Sequence, residues 1–117
     1  MSKTAWMTFN PRCGTARKTK ALLEEEGYAV TAHPYLDEPL GRNDIIGLLA
    51  KGGLTVRDVL RAKEPLAQDL GLTQDDASDD DIIDAMVEHP ILLNRPIVET
   101  DKGVVLARPQ DKVRDIL

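Results

Sequence analysis

Ala5-Trp6-Met7-Thr8-Phe9, then Asn10-Pro11-Arg12-Cys13-Gly14, then Tyr28-Ala29-Val30-Thr31-Ala32 are the runs that decide how this chain folds. The first is short, apolar and bounded, the pattern of a buried strand. Asn10 to Gly14 is turn chemistry. Thr15 to Glu26 consists of good helix formers, and Gly27 is a natural stop. Tyr28 to Ala32 reads as a second strand, ended by His33-Pro34. Strand, helix and strand in so short a stretch form one βαβ unit, so the two strands are expected to be parallel.

Beyond that unit the pattern turns helical. Ile45, Leu48 and Leu49 share one helix face, and Gly52-Gly53 ends that helix. Val56, Val59 and Leu60 begin another short apolar face before Arg61, and Pro65 is expected to interrupt it. Leu66, Leu70 and Leu72 surround a break at Gly71. Ser78-Asp79-Asp80-Asp81 opens a further helix with Ser78 as N-cap, Ile82, Ile83, Met86 and Val87 form its buried face, and His89-Pro90 closes it. The period then changes. Ile97-Val98-Glu99-Thr100 and Val104-Val105-Leu106-Ala107 flank Asp101-Lys102-Gly103 as a β-hairpin. Pro109 suits the first turn of a final helix, to which Val113, Ile116 and Leu117 give an apolar face. The order βαβ, helices, ββα defines an α/β protein on the thioredoxin-like plan. An all-helical insertion over roughly 42–89 separates the two halves of a single domain spanning 1–117.

Composition limits what such a domain can do. The 117 residues carry a formal net charge of −5, with 42% hydrophobic and 30% charged residues, an ordinary balance for a soluble domain. Aromatics make up only 3%, so the core must be aliphatic. An acidic chain is a poor general binder of nucleic acid or anionic membrane, because phosphate contacts need clustered Lys and Arg. Met1-Ser2-Lys3-Thr4 lacks the apolar run of a signal peptide, and no stretch approaches a membrane span, so a cytoplasmic, soluble, monomeric protein is expected. With one cysteine, no internal disulfide can form.

That cysteine, Cys13, falls just after a strand and at the start of a helix. Helix N-termini offer free N–H groups and the positive end of the dipole. Both favour the thiolate, which is the nucleophilic form. Arg12 and Arg17 add positive charge nearby in sequence. The same amides and guanidiniums would hold an oxyanion, so one loop could activate the sulfur and seat an anionic substrate. The competing reading is a buried structural cysteine in a turn.

Asn10-Pro11-Arg12-Cys13-Gly14-Thr15-Ala16-Arg17 resembles the active-site loop of the ArsC-type arsenate reductases, those coupled to glutathione and glutaredoxin. His89-Pro90-Ile91-Leu92-Leu93-Asn94-Arg95-Pro96-Ile97-Val98 resembles their second signature and Arg108-Pro109 their third. Arg61 falls where the family carries another arginine, and the likeness runs over roughly residues 4–117. The resemblance implies Cys13 as nucleophile and Arg61, Arg95 and Arg108 as oxyanion-binding residues. Asn10, Arg12, Gly14, Thr15 and Arg17 would form the supporting loop, and Pro96 would be structural. It also implies reduction of arsenate to arsenite through a thiol–arsenate ester. Glutathione would be the co-substrate, with no bound cofactor, and glutaredoxin would resolve the mixed disulfide. Arginine suits a tetrahedral dianion because it is planar, always charged and rich in donors. Without the resemblance, those three arginines read as solvated surface charges. Some well-known members have a histidine where Phe9 stands, and Phe9 can neither donate a hydrogen bond nor carry charge.

Two further readings compete. One is a thiol oxidoreductase of the same family with another substrate. The other is a regulatory module, since a branch of this fold binds RNA polymerase. Many of those regulators carry a Cys-x-x-Cys switch in the same loop, and here the fourth position is Ala16. The remaining standouts have plain explanations. Asp75-Asp76 and Asp79-Asp80-Asp81 read as a helix start that complements the dipole rather than as a metal site. His33 and His89 each precede a proline at an element end, and no partner has zinc-ligand spacing. The thioredoxin-like plan implies a cis bond before Pro96, where composition alone favours trans.

Overall fold

The computed structural model describes residues 3–117; Met1 and Ser2, the start of the stretch read as lacking a signal peptide, lie outside the described residues. The chain divides into two compact units. One joins the chain up to Glu38 with Arg95–Leu117, and the other is Pro39–Asn94.

The first unit is built on the βαβ segment. Strand β1 (Lys3–Thr8), helix α1 (Gly14–Glu25) and strand β2 (Tyr28–His33) are followed, after the second unit, by β3 (Ile97–Thr100) and β4 (Gly103–Leu106). These form a four-stranded sheet in the order β2-β1-β3-β4. β1 pairs in parallel with β2, placing Ala5 opposite Val30, and antiparallel with β3, placing Met7 opposite Val98. Met7 and Val98, in the expected strands, are fully buried, and so is Leu23 of α1. β1 nevertheless starts two positions earlier than the apolar run, at Lys3 and Thr4, which are exposed but paired with Tyr28 and Ala29. An edge of a strand can be polar where one face meets solvent, and Lys3 Nζ stacks 5.5 Å from the centre of the Tyr28 ring.

The hairpin closes at Asp101-Lys102, with Thr100 paired to Gly103. Gly103 has φ +150°, and a Cβ there would come within 3.4 Å of Ile116, so glycine meets both a backbone and a packing demand. The last element is a correction to the expected α-helix. Gln110–Ile116 is 3-10, with Pro109 as its N-cap rather than inside its first turn. The buried positions explain this: Val113 and Ile116 are three apart, matching a helix of three residues per turn. Thr100 Oγ1 donates to the Ile116 carbonyl at 2.6 Å, tying this turn to the hairpin.

The second unit is helical. α2 (Arg42–Gly52) buries Ile45, Leu48 and Leu49 and ends at Gly53, whose φ of +61° is the left-handed cap. A 3-10 turn (Arg57–Val59) follows. Pro65 does not interrupt a helix; it opens a short one, α3 (Pro65–Asp69), from the first position, where a missing N–H costs nothing. α4 (Asp79–Glu88) begins as read: Ser78 Oγ accepts from the Asp81 N–H at 3.1 Å. Arg42 pairs with Asp80 and Asp84 on its outer face. After a second 3-10 turn (Pro90–Leu92), Leu93 bridges to Leu60, and the Asn94 N–H donates to the Val59 carbonyl at 2.7 Å. No helix among the described residues is long and apolar enough to cross a membrane.

Candidate active site

Cys13 is the N-cap of α1, with φ −89° and ψ 115°, and is only 7% exposed. Asn10 shapes the loop that delivers it. The Asn10 carbonyl accepts from the Cys13 N–H at 2.9 Å, and its Oδ1 accepts from the Arg12 N–H at 3.0 Å. The Cys13 carbonyl then accepts the first helical bond, from the Arg17 N–H at 3.1 Å. The Thr15 and Ala16 amides are left at the helix mouth. Neither closes a side-chain bond of regular capping geometry, yet both act on the sulfur.

Opposing influences set the acidity of the thiol. Burial pushes its pKa up. The Ala16 N–H, the Arg95 charge, a hydrogen bond from the Arg95 side chain and the Thr15 N–H all pull it down, and the net result lies below the ordinary value. The charge expected from Arg12 is therefore supplied by Arg95, a residue remote in sequence, while the Arg12 and Arg17 side chains are exposed. Phe9 packs against the core beside this loop and offers no charge of its own.

Strand register brings Arg95 and Arg108 together. Ile97 is paired with Leu106, so the residues before Ile97 run beside those after Leu106. The Ala107 N–H donates to the Pro96 carbonyl at 2.9 Å, and Arg108 Nη1 donates to the Arg95 carbonyl at 3.1 Å. The Arg95–Pro96 bond is cis, as the thioredoxin-like plan implied, and Arg108–Pro109 is cis as well. Cys13, Arg95, Pro96 and Arg108 thus share the first unit, with Asn10, Arg12, Gly14, Thr15 and Arg17 around the cysteine loop. Arg61 belongs to the second unit. There its N–H donates to the Leu92 carbonyl at 2.7 Å, and its guanidinium lies 3.3 Å from Glu64 Oε2. An open groove of about 540 Å³, edged by Asp81, Asp84 and Glu88, also lies in that unit, and its lining includes neither Cys13 nor any of Arg61, Arg95 and Arg108.

The acidity has a direct readout. Alkylation of Cys13 by iodoacetamide follows the thiolate fraction, so the rate is flat above the thiol pKa and falls as pH drops through it. The midpoint is expected below about 8.5, the value of a free cysteine. A midpoint at or above that value would mean that burial outweighs Arg95 and the helix amides.

The thioredoxin-like α/β unit thus carries a thiol of lowered pKa at a helix N-terminus, with the Arg95 side chain hydrogen-bonded to it and Arg108 on the Arg95 carbonyl. The sequence profile of the ArsC family matches residues 9–116, and the chain belongs to that family. It is 43% identical over 108 residues to the arsenate reductase of Escherichia coli K12, covering 92% of this chain and 77% of that one. It is 42% identical over 114 residues to the arsenate reductase of Rhizobium meliloti, covering 97% and 81%. The solved arsenate reductase from Vibrio cholerae superposes with a TM-score of 0.95 at 36% identity, covering all of both chains.

Proposed function

We propose that this chain is an arsenate reductase that uses Cys13 as its nucleophile and takes its second thiol from glutathione. The observation that carries the reading is the placement of one acidified sulfur at the mouth of α1, hydrogen-bonded to Arg95. The names of the relatives support arsenate as the substrate.

The steps balance. The Cys13 thiolate attacks arsenic, an oxygen leaves as water, and a Cys13–S–As(V) ester forms. A glutathione thiol then joins the Cys13 sulfur, and the electron pair of the sulfur–arsenic bond stays on arsenic, which leaves as arsenite. In sum, one enzyme thiol, one glutathione and one arsenic acid give a Cys13–glutathione disulfide, one arsenious acid and one water. Two electrons move from two thiols to arsenic. A dithiol protein such as glutaredoxin then releases glutathione by thiol exchange. Arg95 and Arg108, which share the first unit with Cys13, are assigned to the arsenate oxygens, where planar charged donors serve best. The chemistry requires a compartment that keeps thiols reduced, which favours the cytoplasm.

Counting sulfurs gives the test. These 117 residues hold one cysteine, so no second sulfur among them can close a disulfide with it. After arsenate plus glutathione, intact-mass spectrometry is expected to show one glutathione adduct, and steady turnover is expected to need both glutathione and glutaredoxin. Sustained reduction with thioredoxin alone, in the absence of glutathione, would overturn the assignment of reductant.

A further inference from the structure

β1 and β3 stop pairing through their main chains at Met7 and Val98. The next residue along β1 is Thr8, a wholly buried polar side chain. Its Oγ1 accepts the Ile97 N–H at 2.9 Å, a buried bond between residues far apart in sequence. Ile97 follows Arg95-Pro96 directly, and the other side of that segment is held by the Ala107 N–H on the Pro96 carbonyl and by Arg108 on the Arg95 carbonyl. The backbone that carries the Arg95 side chain is thus fastened at three points. Two come from the β4 side, and one comes from β1, the strand that leads into the Cys13 loop.

We propose that Thr8 is a positioning residue: by holding the Ile97 N–H, its buried hydroxyl sets the Arg95 guanidinium against the Cys13 sulfur. Thr8 is not among the groups that lower the Cys13 pKa, and it acts through Arg95. The cause is geometric. β1 runs directly into the loop that carries Cys13, so a clamp at its last residue references Arg95 to the same strand that positions the nucleophile. A main-chain ladder bond could fasten β3 just as well, but Thr8 does it with a side chain, so the fastening can be removed by substitution. Valine has nearly the shape of threonine but no acceptor, and it leaves the Ile97 N–H buried and unpaired.

The inference deepens the proposed function and rests on it only for turnover; the acidity of Cys13 can be read without arsenate. The groups that act on that sulfur are the Arg95 guanidinium from the segment before β3 and the Thr15 and Ala16 amides of α1. Thr8→Val is expected to move the Cys13 alkylation midpoint upward by half to one pH unit, slowing alkylation by about three- to tenfold at pH values well below the midpoint. Thr8→Ser, which keeps the acceptor, is expected to restore the wild-type profile. In an Arg95→Ala background, Thr8→Val is expected to add no further shift, because the two changes share one route. In the wild-type protein, which needs no variant to fold, the Ile97 amide is expected to exchange with solvent as slowly as the Val98 amide. A folded Thr8→Val with an unaltered alkylation profile, an equal shift in the Arg95→Ala background, or a fast-exchanging Ile97 amide would each overturn the role. If arsenate is not the substrate, the turnover assay fails while the alkylation results stand, so the two readings fail separately.

Discussion

Cys13→Ser is expected to lose arsenate turnover by a factor on the order of a thousand or more, down to the uncatalysed background, while the protein remains folded. The chemical reason is that a serine hydroxyl at a helix end stays protonated at neutral pH, and oxygen forms no reducible link to a second thiol. The structural reason for survival of the fold is the place of Cys13. It is an N-cap, and serine is among the residues preferred there because its oxygen can accept from the free amides. At acid pH, where the wild-type thiol is protonated, the variant should therefore melt at or above the wild-type temperature. The comparison depends on pH in a fixed direction. The Cys13 pKa is depressed in the folded state, so the thiolate adds stability that is fully present above the free-thiol pKa and is lost as pH falls through the folded value. The serine variant carries no such contribution, so its relative stability is greatest at acid pH and shrinks toward alkaline pH. Glutathione adduct formation should disappear with turnover. Undiminished activity in Cys13→Ser would remove the nucleophile from the mechanism and, with it, the whole proposed reaction.

Why serine was not selected at a position that suits it is a question about function, and here the sequence is informative. The apolar run, the Asn10-Pro11 turn and the helix formers after Gly14 are local signals, and each keeps its meaning in the fold. Ser78 and the hairpin around Asp101-Lys102 are legible for the same reason, since caps and tight turns depend on a few adjacent residues. The errors also share a cause. The expected interruption at Pro65 fails because the chain before it has already left helical geometry after the turn at Arg57–Val59, so the proline opens a helix instead. In the final element Pro109 and the apolar face of Val113, Ile116 and Leu117 mark a helix, and the three-residue spacing of the buried Val113 and Ile116 makes it 3-10. The largest gap lies at the sulfur. Arg12 is next to Cys13 in sequence but is exposed, and Arg95 reaches the sulfur through the pairing of β3 with β1. No periodicity encodes a contact made by strand order. The buried threonine beside it was likewise hidden, because alternation accounts for apolar residues and Thr8 is polar.

Arg95→Ala is expected to do two separable kinds of damage. It removes a charge and a hydrogen bond from the Cys13 sulfur, so the alkylation midpoint moves up. It also removes a donor from the proposed arsenate site. A charge-assisted contact of this kind is worth roughly 1.5–3 kcal/mol, or about one to two decades in rate, and the acidity change adds to this at neutral pH. Arg108→Ala should behave differently. Its guanidinium donates to the Arg95 carbonyl rather than acting on the sulfur, so turnover falls by a similar factor while the alkylation midpoint moves less. Because the two arginines touch, the double variant should lose less than the product of the single losses. Lysine at position 95 keeps the charge but not the planar fork, so it should restore most of the alkylation profile and only part of the turnover. These comparisons distinguish an arginine that tunes the nucleophile from one that holds the substrate. If both alanine variants keep full turnover with normal circular dichroism, neither arginine binds the oxyanion, and the anion site must be sought at the amides of α1.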